Sequence, residues 1–200
     1  MLFRSGRLID SYVYGTDHPY GTYNEASDID ALNIKACKDF YQDYYLNGHC
    51  MIFVSGVIPS DFTSELNKLF GSLPLNKRKI DVPSVDFKPA AEKKFRVEND
   101  AAAVQGAIRL ASPFPNRHHP DFRKVMVLNT LFGGFFGSRL MSNIREEKGY
   151  TYGIYSYIQN HIRDTAWLIS TEAGKDVCEA TLTEIYAEMK RLREIGRAHV

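Results

Sequence analysis

Arg145 and Tyr152 are the two side chains whose types and spacing best suit chemistry. They stand seven positions apart, with Gly149 between them. A guanidinium group and a phenol both donate hydrogen bonds, and donors held close together can bind a carbonyl oxygen or stabilise an oxyanion. The same residues allow a simpler interpretation, in which Arg145 pairs with Glu146 or Glu147 at the surface and Tyr152 packs in the core. The spacing alone leaves both interpretations open.

The elements that must position this pair are a short helix and a strand joined by a tight turn. Ser138 suits the N-cap of a helix from about Arg139 to Lys148, and Gly149 suits its end. From Thr151 onward the period changes to two, which is typical of a strand with one shared face for Tyr152, Ile154, Ser156 and Ile158. A sharp reversal at Gly149 would aim Arg145 and Tyr152 into one solvent-reachable hollow.

A glycine-rich stretch precedes this helix and contains Gly133, Gly134 and Gly137. It is too short and too apolar for a dinucleotide-binding fingerprint, and the chain has no Gly-x-Ser-x-Gly or phosphate-binding loop. The glycines by themselves indicate a flexible turn between two helices. The histidines lack the spacing of a helical metal site, because His118 and His119 are adjacent and the others have no histidine four positions on. They are therefore expected in turns or at the surface.

The remaining pattern predicts an α+β fold, an antiparallel-rich sheet with helices on one face. Helices are predicted at 2–14, from Ser27 or Asn33 to 46, from 59 to 70, at 120–132 and from 175 onward. Strands are predicted at 50–58, 93–98, 103–112 and 165–173, with 50–58 buried. Prolines and alternating charges between 73 and 89 mark a linker.

Composition excludes several classes of partner. The chain has 200 residues, 44% of them hydrophobic, and a net charge of +1. Such a balance gives no general attraction to nucleic acid or anionic lipid. No apolar run approaches the length of a membrane span, and residues 1–11 lack signal-peptide architecture. A soluble protein is expected, with the cytoplasm favoured as its compartment.

Two segments together resemble a known family. Residues 133–156, GGFFGSRLMSNIREEKGYTYGIYS, are similar to the hallmark of the insulinase/pitrilysin family of zinc metallopeptidases, which includes the mitochondrial processing peptidases. The shared pattern is a glycine-rich loop, Ser-Arg-Leu, and Arg-Glu-x-x-Gly-x-x-Tyr. Residues 18–58 resemble that family's His-Pro-Tyr-Gly turn, aromatic helix and following strand. The resemblance covers roughly residues 18–192.

The resemblance implies an architecture of two repeated α+β halves in the complete enzyme. Residues 1–73 would then be the tail of the first half, 74–92 the linker, and 93–194 an incomplete second half. The last six residues, 195–200 (IGRAHV), fit neither the family nor the helix before them. With suitable codons they would match translated sequencing-adapter read-through and are a suspected artefact, with a natural tail as the alternative.

The resemblance also implies a function. Family members hold zinc through His-x-x-Glu-His, which this chain lacks, so zinc is expected outside it and the chain is expected to be inactive alone. Arg145 and Tyr152 match the residues that hold the scissile peptide and its tetrahedral intermediate. Gly133, Gly134 and Gly137 match the loop near the substrate channel. The implied partners are a peptide or unfolded polypeptide and a second half or subunit carrying zinc. The alternative is a non-catalytic partner or structural core-type subunit.

Overall fold

The computed structural model describes residues 2–48, 50–73, 85–86, 88–98 and 100–194. Contacts divide the chain into two compact units, one formed by Met1–Thr22 with Asp86–Val200 and the other by Tyr23–Val85. The division at a linker over 74–92 stays a prediction, since most of that range lies outside the described residues. Residues 195–200 and His49 lie outside them as well.

The described residues form helices and one antiparallel sheet, which confirms the α+β class. The strands are β1 (Gln105–Pro113), β2 (Thr151–Asn160) and β3 (Thr165–Gly174), in the order β1-β3-β2. The α-helices are α1 (Leu2–Tyr14), α2 (Ala26–Asp30), α3 (Ile34–Phe40), α4 (Phe62–Phe70), α5 (Phe122–Asn129) and α6 (Cys178–Glu194). Segments of π-helix extend α3 over Tyr41–Leu46 and α5 over Thr130–Gly134, and a third, the joint helix, spans Met141–Glu147. No helix in the described ranges is long and apolar enough to cross a lipid bilayer.

The sheet has a separate apolar cluster on each face. On one face, Ile108, Ile154 and Ile169 pack with the joint helix and with Ile185 of α6. On the other face, Ala166, Leu168 and Ala111 pack with the end of α1. Neighbouring residues of β3 alternate between the two clusters, as the two-residue period of a strand requires. Each large aliphatic side chain buried in this way contributes about 1.5–3 kcal/mol.

The predicted strand at 93–98 is wrong. The segment from residue 88 onward runs irregularly beside α1 instead. Lys88 N–H donates to Tyr14 C=O at 3.0 Å, and Ala90 N–H donates to Tyr12 C=O at 2.9 Å. The Phe95 ring stacks on Tyr12 with centroids 3.8 Å apart. The N–H groups of Lys88 and Ala90 therefore bond carbonyls in the last turn of α1, which have no partner within the helix. They do not bond a neighbouring strand.

The unit Tyr23–Val85 contains α2, α3 and α4. Of the two proposed caps Asn33 is correct, since its side chain accepts from Ala36 N–H at 2.9 Å, whereas Glu25 caps α2 in place of Ser27. The predicted buried strand at 50–58 is wrong, because these residues form no strand, and Phe53 is 87% and Val57 100% exposed. A strand needs a neighbour for its backbone groups, and the described part of this unit supplies none.

Candidate functional site

The joint helix ends at the predicted glycine. Gly149 adopts φ +66°, the left-handed conformation that closes many helices. Its N–H donates to Arg145 C=O at 3.1 Å, and Tyr150 N–H donates to Ile144 C=O at 3.0 Å. β2 begins two residues later, so the chain reverses within a few residues. The predicted tight joint is present.

The predicted side-chain cap at Ser138 is wrong. Ser138 C=O accepts from Ser142 N–H at 2.9 Å, so the residue does begin the helical hydrogen bonding. Its hydroxyl, however, is buried and bonds no group in the described ranges. An N-cap hydroxyl must face the free N–H groups of the first turn, and here the Ser138 side chain is enclosed by packing instead.

The predicted face of Tyr152 is also wrong, because a β-bulge interrupts β2. Thr151 pairs with Ala173 and Ile154 pairs with Thr171, so Tyr152 and Gly153 together oppose one residue of β3. One extra residue moves every side chain before it to the opposite face. Ile154 is therefore fully buried whereas Tyr152 is 89% exposed.

Arg145 makes three contacts at the joint. Its Nε donates to the backbone C=O of Tyr152 at 2.9 Å. Its Nη1 pairs with the Glu146 carboxylate. The Phe136 ring centroid lies 4.6 Å from its Cζ, which is cation–π distance. The Arg145–Glu146 pair of the simpler interpretation is therefore present. Tyr152, however, is exposed and does not pack in the core as that interpretation requires.

Arg145 and Tyr152 line one open cleft of about 590 Å³. It lies where the start of β2 meets the start of β1 and the end of β3. Its lining is largely polar and includes both acidic and basic groups. The lining residues are Gln105, Arg145, Glu146, Gly149, Tyr150, Thr151, Tyr152, Gly174, Asp176 and Val177. The structure therefore brings the two predicted donors together, with the phenol facing solvent.

The glycine-rich loop packs against β2 at Gly133. At Gly133 an added Cβ would come within 2.6 Å of Ser156 Cβ and 2.7 Å of Ser156 N, so only glycine fits against β2. Gly134 and Gly137 are exposed. None of the three glycines lines the described cleft. The loop contributes Phe136, whose ring lies over the Arg145 guanidinium, and its contact with substrate stays a prediction.

A buried carboxylate fixes the joint helix to α6, and sequence reasoning missed it. Glu188 is buried, and its oxygens accept from Asn143 Nδ2 and Arg139 Nε, each at 2.9 Å. Arg191 also pairs with it. A buried charge needs such partners. The only signal in the sequence is an acidic residue within α6, and two of its three partners, Arg139 and Asn143, lie more than forty positions away.

A second buried polar cluster lies between α1 and the β2–β3 connection. His18 lies in a turn, as expected, but it is buried, and its Nε2 lies 3.6 Å from Asp164 Oδ2. Burial raises the pKa of Asp10 above 3.8, although a Gln159 hydrogen bond and the charge of His161 act to lower it. Burial likewise raises the pKa of the Tyr14 phenol. In the described ranges no three His, Cys, Asp or Glu residues are grouped to hold a metal ion.

Comparison with known proteins identifies the family. Residues 31–197 match the family model described as the peptidase M16 inactive domain. The chain belongs to this M16 family. The match confirms the resemblance to insulinase-like peptidases. A relative in Bacillus subtilis (strain 168), named uncharacterized zinc protease YmxG, is 25% identical over 188 residues, covering 92% of this chain and 45% of that protein.

Solved structures share the M16 fold. The peptidase M16 inactive domain from Pseudomonas fluorescens superposes with a TM-score of 0.69 at 22% identity, covering 94% of this chain and 45% of that one. A protease from Helicobacter pylori gives a TM-score of 0.69 at 22% identity, with 92% and 45% covered. A conserved protein from Enterococcus faecalis V583 gives 0.70 at 19%, with 94% and 44% covered. The chain thus spans less than half the length of each of these relatives.

Proposed function

We propose that this chain is the substrate-binding half of an M16 zinc endopeptidase and that Arg145 and Tyr152 stabilise the tetrahedral intermediate of peptide hydrolysis. The observation that carries this proposal is the shared cleft, which both side chains line. Tyr152 is almost fully exposed there, so its hydroxyl can reach a ligand. The named zinc protease relative supports the reaction class.

The contacts of Arg145 prepare it to donate. Its Nε and Nη1 are engaged by Tyr152 C=O and by Glu146, and no group in the described part of the chain bonds Nη2. Phe136 holds the plane of the guanidinium from one side. A donor fixed before the substrate arrives needs no reorganisation when charge develops on the carbonyl oxygen. Nη2 and the Tyr152 hydroxyl are the two groups assigned to that oxygen.

Zinc does not fit the described residues of this chain. They contain no group of three or more metal-ligating side chains, and His18 faces Asp164 inside a buried cluster. We therefore assign the zinc ion to a second half or subunit. That part would supply the hydrolytic metal chemistry, while this chain binds the peptide or unfolded segment and stabilises its carbonyl oxygen.

The experiment uses the intact protein containing this chain and a quenched fluorescent peptide as substrate. Tyr152→Phe is expected to lower kcat/KM about 100-fold, the usual effect of losing one oxyanion donor. The melting temperature should not change, because the hydroxyl lies at the surface. Tyr155→Phe is the matched control, an exposed phenol on the same strand outside the cleft lining.

Equal turnover for Tyr152→Phe, Tyr155→Phe and the wild type would contradict the proposal. That result would favour the alternative role, a non-catalytic partner or structural subunit with the same fold.

A further inference from the structure

Side chains bond four backbone groups at the bulge in β2, beside the cleft. The ladder with β3 shifts by one residue between Thr151 and Ile154. The four groups are Tyr152 C=O, Gly153 N–H, Gly153 C=O and Ile154 N–H. Such groups are costly to bury unless another donor or acceptor satisfies them.

Two threonine hydroxyls satisfy the middle of the bulge. Thr151 Oγ1 accepts from Gly153 N–H at 3.1 Å and donates to Glu172 C=O at 2.6 Å. Thr171 Oγ1 donates to Gly153 C=O at 2.9 Å and lies 2.8 Å from Thr151 Oγ1. The two hydroxyls therefore hydrogen-bond both backbone groups of Gly153.

The joint helix satisfies the two ends of the bulge. Ile154 N–H points at Met141 Sδ, 3.3 Å away, and Tyr152 C=O accepts from Arg145 Nε at 2.9 Å. The side chain assigned to the substrate is therefore also a clamp on the bulge. Any movement of Gly153 shifts Tyr152 and changes the position of Arg145 together with it.

We propose that Thr171, acting with Thr151, is a positioning residue that holds Tyr152 and Arg145 in register with one another. This inference rests on the proposed function. Thr171 is only 1% exposed, so it cannot contact substrate and must act through the bulge. Without the Thr171 hydroxyl, the Thr151 hydroxyl, which lies 3.0 Å from Gly153 C=O, can donate its one proton to that oxygen only by releasing Glu172 C=O. One of these two carbonyls at the bulge then lacks its donor, which costs free energy in a part-buried position.

Three variants separate positioning from general stability. Thr171→Val removes the hydroxyl at nearly constant volume, and Thr171→Ser keeps it. Thr181→Val is the matched control, because Thr181 is also fully buried and its hydroxyl donates to Val177 C=O at 2.8 Å within the same unit. Both valine variants lose one buried hydroxyl bond, but only Thr171→Val touches the bulge.

The first readout is kcat for the quenched peptide in the intact protein. We expect Thr171→Val to lower kcat by about 10- to 100-fold, the effect of a small misplacement of catalytic groups. Thr171→Ser should stay within about threefold of the wild type, and Thr181→Val should leave kcat unchanged. In a Tyr152→Phe background Thr171→Val should lower kcat by a smaller factor than in the wild-type background, since part of its effect passes through the Tyr152 hydroxyl.

The second readout is amide hydrogen exchange of Gly153 in this chain. Thr171→Val should speed exchange at Gly153, whereas Thr181→Val should not.

The outcomes distinguish the proposed function from the positioning role of Thr171. If Tyr152→Phe leaves turnover unchanged, the proposed function fails, and the positioning role fails with it. If Tyr152→Phe lowers turnover but Thr171→Val matches Thr181→Val, only the positioning role is overturned. The positioning role alone is also overturned if Thr171→Ser lowers kcat as much as Thr171→Val does. It is likewise overturned if the double variant lowers kcat by the full product of the two single effects.

Discussion

Gly149→Ala tests the joint on which the site depends. Gly149 has φ +66°, and a Cβ built on it meets no atom within 4 Å. The cost of alanine is therefore a backbone cost alone. An L-residue in this conformation loses about 1–2 kcal/mol. Alanine also lowers the entropy of the unfolded chain, which returns about 0.4–1 kcal/mol. A net loss of about 0.5–1 kcal/mol is expected.

Gly6→Ala is the matched control. Gly6 lies inside α1, its φ is not positive, and its added Cβ also meets nothing within 4 Å. In a helix, alanine is more favourable than glycine by about 0.8–1 kcal/mol. Gly6→Ala should therefore raise the free energy of unfolding, whereas Gly149→Ala lowers it, although both glycines have equally open surroundings. The difference between the two variants should be about 1.3–2 kcal/mol.

Thermal unfolding of the chain measures both variants. Each kcal/mol corresponds to about 2–4 °C for a chain of this size, so Gly149→Ala should lower Tm by about 1–4 °C and Gly6→Ala should raise it by a similar amount. Gly149→Val should lower Tm further, because a β-branched side chain tolerates positive φ even less. An unchanged or higher Tm for Gly149→Ala, with the expected gain for Gly6→Ala, would refute a left-handed glycine at the joint.

Two further predictions concern ionisation and metal content. Burial raises the pKa of Asp10 in the folded state, so the protonated carboxyl favours the folded chain. This contribution to stability is fully present below the unfolded pKa of 3.8 and is lost as the pH rises through the folded pKa. Asp10→Asn should therefore stabilise the chain against urea at about pH 7 more than at about pH 4, and an equal effect at both pH values would contradict this. The purified chain should contain no stoichiometric zinc by plasma mass spectrometry; one tightly bound zinc per chain would overturn that prediction.

Helix α1 and the strand β3 show which parts of the fold the sequence predicts well. The predicted helix at 2–14 has the bounds of α1, and the predicted strand at 165–173 ends one residue before β3 does. The apolar residues of α6 recur at steps of three and four positions, and one of them, Ile185, is fully buried in the core cluster. These features follow from periodicity within one element, which is a local property of the chain.

The strands predicted at 50–58 and 93–98 show the limit of that approach. Residues 50–58 are mostly apolar, and in 93–98 Phe95 and Val97 alternate with charged residues, yet neither stretch is a strand. A strand is completed only by backbone partners elsewhere in the chain, and sequence periodicity carries no information about whether those partners are available. Phe95 instead stacks on Tyr12 of α1, a contact that no local pattern indicates.

The amino-acid sequence by itself determined the tight joint between Arg145 and Tyr152, because a glycine that ends a helix and an immediately following strand are local chemistry. Only the tertiary structure decided that the phenol faces solvent. That exposure accompanies one extra residue in β2, since Tyr152 and Gly153 together oppose a single residue of β3. The facing of a side chain at a bulge is set by the register between strands, and register is a property of the folded pair rather than of either strand alone.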